Sequence, residues 1–252
     1  APAVIASPPM RSPRHLDWEL CWNARDLGGL AVAAGFIQPG ALVRASRLDA
    51  LTEKGWAAVW DHGVRTVIDL RTGWERDQAP QRVPDAIDYV LPPLEEGLAD
   101  DPEFRDWMHT GWIGTPLYYA PFVRRWPERV ASAVRTIARA APGGVVVHCS
   151  AGRDRTGMIT AMLLSLLGAD LATIWEDYAL SDERRRMPAA RALGVADSWA
   201  EAASALHAAG TTLRAALCDF VGTTPSAEVL RAGGLSDADL EALRRRLLGA
   251  VR

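Results

Sequence analysis

The chain of 252 residues carries one lysine, Lys54, among 28 basic side chains, and it has only three cysteines. No apolar run comes near the roughly 20 residues that a membrane-spanning helix requires, so no integral membrane segment is expected. Cys21, Cys149 and Cys218 form neither a paired framework nor a Cys-x-x-Cys motif. A disulfide scaffold and a zinc site are therefore not expected, and a reducing compartment is. Residues 1–16, rich in Pro, Ala and Ser, lack the continuous apolar stretch of a signal peptide and read as a flexible extension. That makes the cytoplasm the expected location, although export by a route without a recognisable signal would leave no mark in the sequence. A formal charge of −3 argues against a nucleic-acid partner. Nothing in the sequence fixes an oligomeric state.

What the chain does have is apolar content sufficient for a large core, 49% hydrophobic against 23% charged. Residues 41–45, 64–70, 87–91 and 145–148 are short and β-branched and read as strands, with a helix over 52–62 between the first two. This alternation predicts an α/β fold with a mostly parallel central sheet, 145–148 at its centre, flanked by helices. Residues 95–116, with several acidic residues and glycines, read as irregular. Residues 118–140 read as a long helix bent or restarted at Pro127. After a further helix over 170–180, Ala, Leu and Arg dominate and predict a helical C-terminal part, whose last helix opens on a capping signal at Ser236. Residues 17–252 are expected to form a single domain.

The most informative stretch is His148-Cys149-Ser150-Ala151-Gly152-Arg153-Asp154-Arg155-Thr156-Gly157. A β-branched run precedes it and an almost wholly apolar stretch follows, so the loop lies between a strand's carboxyl end and a helix's amino end. Unpaired backbone N–H groups and the positive end of the helix dipole converge there on an anion. Oriented amides and a neighbouring arginine favour the thiolate of Cys149, the nucleophilic form. Arg155 offers a planar fork for two oxygens of a phosphoryl group. Ser150, Ala151, Gly152, Arg153 and Thr156 complete the substrate-binding turn, Gly152 by letting the backbone approach and Thr156 by offering a hydroxyl to the thiolate. His148 is expected to orient the loop. The chemistry implied is phosphoryl transfer to sulfur followed by hydrolysis of a cysteinyl-phosphate, with no metal or other cofactor required.

His-Cys-x5-Arg followed by Ser or Thr is the signature of the cysteine-based protein tyrosine phosphatases. More narrowly, the loop resembles that of an atypical bacterial group reading His-Cys-x-x-Gly-Lys-Asp-Arg-x-Gly, and Asn23-Ala24-Arg25-Asp26-Leu27-Gly28-Gly29 is similar to a second segment of that group. Further similarity at residues 44–48, 67–71 and near 234 extends the resemblance over roughly residues 18–250. It implies a protein tyrosine phosphatase-like fold with a helical lid, for which residues 185–221 are the candidate, Leu193, Val195, Trp199 and Leu206 supplying an apolar face. An ordinary packed helical layer competes with that reading. The resemblance also implies a phosphorylated peptide, protein or phosphoinositide as substrate.

The same resemblance makes Asp154 the general acid, against a competing reading as an anchor for loop amides and arginines. Asp69, at a strand end that would line the crevice, is the alternative acid, with an ion pair to Arg71 or Arg25 as its plain structural reading. Position 153 is Arg where the group has Lys, the residue associated with highly charged substrates such as phosphoinositides; with Lys54 alone in the chain, a general preference for Arg explains the exchange equally well. Arg25 and Asp26 are read first as parts of a turn and second as supports reaching the loop. A phosphatase of a small phosphorylated metabolite and a catalytically idle phosphate-binding module remain as other functions for the same loop.

Overall fold

The structure is a computed structural model that describes residues 14–185 and 199–249. Five strands form the main sheet: β1 (Arg25–Asp26), β4 (Leu42–Ala45), β5 (Val64–Asp69), β6 (Asp88–Val90) and β7 (Gly144–His148), while β2 (Ala31–Val32) and β3 (Gly35–Phe36) make a separate hairpin. The order is β1-β4-β7-β5-β6, with β7 central as the sequence predicts. β4, β7, β5 and β6 run parallel, and only the two-residue β1 is antiparallel, against β4. The fold is thus α/β with a mostly parallel sheet.

A parallel sheet is covered on both faces, which is why Val145-Val146-Val147 reads as unbroken apolar sequence. Strand alternation then sends Val145 and Val147 into the larger core cluster and Val146 into the smaller one on the opposite face. The small face is closed by α1 (Glu53–Asp61) and by Trp18 and Cys21 from the N-terminal segment. The large face holds α4 (Tyr119–Arg125), α5 (Pro127–Arg139) and α6 (Asp154–Leu166). α6 is buried from Thr156 to Leu164, so it is anchored around its whole circumference. Each of its large apolar side chains contributes roughly 1.5–3 kcal/mol of burial.

Several expectations are corrected. Residues 95–116 contain α3 (Pro102–His109), started by Asp101 accepting from the Glu103 and Phe104 amides with Pro102 in the first turn, a start signal present in the sequence. α2 (Gly73–Gln78) was not foreseen either. Of the expected extension, residues 1–13 lie outside the described residues, whereas Arg14 to Leu16 are bound into the fold, His15 bridging to Arg25 and Arg14 pairing with Asp177. The helix expected over 170–180 is longer, α7 (Leu171–Arg185). Of the lid candidate, residues 186–198, with Leu193 and Val195, and the Trp199 side chain lie outside the described residues. The described remainder, α8 (Trp199–Ala208) and α9 (Leu213–Thr223), buries Leu206, Leu217 and Phe220 in the large core, as a packed layer does. α10 (Ser226–Ala232) and α11 (Asp237–Leu248) close the chain, α11 with the capping box that Ser236 and Asp239 predict. No described helix is long and apolar enough to cross a membrane.

Candidate active site

Register brings Ala45, His148 and Asp69 to one level at the carboxyl ends of β4, β7 and β5. The chain leaving β7 therefore turns through residues 149–153 inside a crevice between two neighbouring strand ends, the position that ligands take in such sheets. Gly152 makes the turn possible, with φ at +68° and its Cα so close to β4 that a Cβ there would lie 2.2 Å from the Ala45 carbonyl oxygen.

Every carbonyl of the turn is bound from outside. His148 Nδ1 donates to Cys149 O at 3.1 Å, and Arg47 N donates to Ser150 O at 3.0 Å. Asn23 Nδ2 reaches Ala151 O at 2.9 Å and Gly152 O at 3.3 Å, while Arg44 Nη2 reaches Gly152 O at 2.9 Å and Arg153 O at 3.4 Å. With the oxygens turned outward, the amides turn inward. Among the described residues, none of the Ser150, Ala151, Gly152, Asp154 and Arg155 amides finds an acceptor, and the N-cap of α6 carries no side-chain cap. These donors, the α6 dipole and Cys149, 2% exposed at the loop's start, belong to one turn. Among the described residues the buried Thr156 hydroxyl finds no hydrogen-bond partner.

The clamps are themselves held. Arg25 Nη1 donates to Asn23 Oδ1 at 2.6 Å, which aims the Asn23 amide group at the loop. Arg14, Arg25 and Arg44 all pair with Asp177 of α7, at 2.9, 3.1 and 2.7 Å. Burial works to raise the Asp177 carboxyl, but the three guanidinium groups hold it far below the usual carboxylate range. One carboxylate against three cations leaves net positive charge behind the loop, which favours an anion in front of it.

Residues 16–249 match the tyrosine phosphatase family. The chain belongs to that family. It is similar to the triple specificity protein phosphatase PtpB of Mycobacterium tuberculosis, 33% identical over 190 residues that span 64% of this chain and 67% of that protein. It is also similar to a tyrosine-protein phosphatase of Nostoc commune, 31% identical over 161 residues, 60% of this chain and about half (51%) of that protein.

In this phosphatase Arg155 is gripped by a residue that the sequence reading missed. Glu75 of α2 accepts from Arg155 Nη1 and, at 2.7 Å, from Nη2, and also takes the Ser150 hydroxyl at 2.6 Å. Burial would raise the Glu75 carboxyl, but Arg155 and Ser150 bring it down to about 2, so it stays ionised. Its signal was in the sequence: Thr72-x-x-Glu75 is a capping box, and both reciprocal bonds form. Glu95 was missed too; it lies 3.4 Å from Arg155 Nε and has no motif to announce it.

The remaining expected residues fall into two groups. Asp154 opens α6, 18% exposed, and accepts long bonds, from Tyr178 Oη at 3.4 Å and Arg153 Nε at 3.3 Å. Asp69 is fully buried, takes Arg71 Nη2 and Tyr89 Oη at 2.8 and 2.7 Å, and is held below the usual range because His148 and Arg71 outweigh the effect of burial. Its partner is Arg71, one of the two expected for it. His148 donates from Nδ1 to the loop and accepts from Gln81 Nε2 at 3.3 Å. Asp26 does not reach the loop. It accepts from the Gly28 and Gly40 amides at 2.8 and 2.7 Å and fixes the turn that ends at Gly29, φ +82°. Arg25 reaches the loop through Asn23, and it shares Asp177 with Arg44. Arg153, 4% exposed, points away from solvent to Gly114 O and Asp182.

Cys21 is not a second nucleophile. Burial pushes its thiol up to about 11, and its sulfur lies against the Ser46 hydroxyl at 3.4 Å.

Proposed function

We propose that the phosphatase hydrolyses phosphotyrosine in peptides or proteins through a cysteinyl-phosphate on Cys149, with phosphoserine and phosphothreonine as further substrates. The observation that carries this reading is the loop whose five carbonyls, from Cys149 to Arg153, are all bound, leaving the Ser150, Ala151, Gly152, Asp154 and Arg155 amides to an anion beside the nucleophile. Sulfur attacks phosphorus in line with the departing ester oxygen, the amides and Arg155 carry the charge of the equatorial oxygens, and water then cleaves the S–P bond. The Thr156 hydroxyl, without another partner among the described residues, stands ready for the sulfur as it leaves. Asp154 protonates the leaving oxygen. Its partial exposure and weak contacts support that role, whereas the buried, strongly bonded Asp69 serves as a brace for Arg71.

The triple specificity in the PtpB name extends the reading beyond phosphotyrosine. It does not extend with equal support to phosphoinositides, because the Arg153 guanidinium is engaged by Gly114 O and Asp182. With chelator present, phosphate release is expected to be fastest from a phosphotyrosine peptide, slower from phosphoserine and phosphothreonine peptides, and slowest from a phosphoinositide series. A phosphoinositide at the head of that order would overturn the substrate assignment. Asp154→Asn is expected to slow phenyl phosphate by roughly 10²–10⁴-fold and an activated nitrophenyl ester far less. Equal losses on both esters would move the acid elsewhere.

A further inference from the structure

Arg155 stands between two carboxylates. Glu75 occupies Nη1 and Nη2 and is ionised, as described above. Glu95 follows β6, is only 8% exposed, and faces the third donor, with Oε2 3.4 Å from Arg155 Nε. Its other oxygen, Oε1, accepts from Tyr118 Oη at 3.1 Å. Tyr118 is completely buried and its phenol is pushed well above the usual range, by burial first and by Glu95 second, so it only donates. With Oε1 held by a permanent donor, a proton taken by Glu95 belongs on Oε2, the oxygen beside Arg155.

A phosphoryl dianion gripped through Arg155 Nε meets that oxygen directly. Two anions in contact in a buried site repel strongly, and one of them is relieved by a proton. We propose that Glu95 is a catalytic residue that meets the phosphoryl group as a neutral acid, taking up a proton as the dianion docks and donating a hydrogen bond from Oε2 to a phosphoryl oxygen. The proton comes from solvent, and no bond to carbon or phosphorus changes in the step. The charged and titratable groups facing Glu95 are Arg155, Tyr118, Glu75 and Asp154. Arg155 and Tyr118 keep their protons and Glu75 stays ionised. Burial already pushes the Glu95 carboxyl upward. The proposal rests on the loop being the phosphoryl site.

Sulfate is the probe, because it stays dianionic throughout the neutral range and any proton taken up belongs to the protein. Titration calorimetry in two buffers of different protonation heat is expected to give about one proton taken up per sulfate at about pH 7 in the wild-type protein. Sulfate affinity should then fall by up to about tenfold per pH unit above that point. Glu95→Gln keeps the shape and removes the charge; its uptake is expected to vanish, with sulfate affinity nearly level in pH. Asp154→Asn is expected to retain the uptake. Sulfate binding without proton uptake in the wild type, uptake that survives in Glu95→Gln, or uptake lost instead in Asp154→Asn would each overturn the proposal. Failure of the wild type to bind sulfate at all would overturn the phosphate-loop reading and the Glu95 proposal with it.

Discussion

Cys149→Ser is expected to lower kcat on every phosphate ester by at least about 10⁴-fold while leaving oxyanion binding measurable. A serine hydroxyl is not ionised at neutral pH, and among the described residues no histidine is set beside position 149 as a base: His148, the nearest in sequence, gives Nδ1–H to the loop and takes Gln81 on Nε2. The oxygen therefore lacks the activation that sulfur has intrinsically. Binding survives because it belongs to other groups. The amides of Ser150 to Arg155 are aimed by Asn23, Arg44 and Arg47, none of which touches the side chain at 149. Phosphate release by the variant, with tungstate binding followed by calorimetry, checks both halves. Retention of more than about 1% of the wild-type rate would sink the cysteinyl-phosphate route.

Asp177→Asn is expected to destabilise the protein by about 3–5 kcal/mol, read as a lower urea midpoint at unchanged slope. The carboxylate is completely buried and is the common partner of Arg14, Arg25 and Arg44, so its loss leaves buried cations uncompensated. The pH dependence has a definite sign. Burial alone would raise the Asp177 carboxyl, yet Arg25, Arg44 and Arg14 depress it in the folded state, so the stabilisation is fully present above the unfolded value of about 3.9 and is lost as pH falls below it. The gap between wild type and variant should accordingly close as pH is lowered through about 4 and below. A gap that stays constant through that range would show that the charge of Asp177 does not carry the effect. Turnover should fall as well, because Arg44 Nη1 is tethered by Asp177 Oδ2 at 2.7 Å while its Nη2 holds two loop carbonyls.

The parts of this arrangement differed in how plainly the sequence declared them. The loop was legible because its chemistry is local: nucleophile, glycine and arginine lie within seven residues, from Cys149 to Arg155. The central strand was legible because burial on both faces writes an unbroken valine run. α2 and α3 were passed over although Thr72-x-x-Glu75 and Asp101-Pro102 both carry recognised start signals; around α3 the glycines and acidic residues suggested irregular structure. The roles of Asn23 and Arg44 were not legible in kind. Each acts across more than 100 residues on a backbone carbonyl, as in the Asn23 contact to Ala151 and the Arg44 contact to Gly152, and a carbonyl has no side-chain identity for a pattern to record. Glu95 has the same character, since only the folded loop after β6 brings it to Arg155.

The three-arginine cluster on Asp177 also constrains the order in which the chain can settle. Arg14, Arg25 and Arg44 emerge first from the ribosome, and their shared counter-ion follows only after another 133 residues, counted from Arg44 to Asp177. Until α7 is made, the N-terminal segment would have to bury cations without compensation, which is too costly to happen. β1, the edge strand that contains Arg25, therefore docks late, together with α7, and the clamps behind the loop close only then. A nascent chain stalled before residue 177 should hold a slack anion loop, so phosphatase competence arrives only once α7 is made, in one step with the docking of both chain segments.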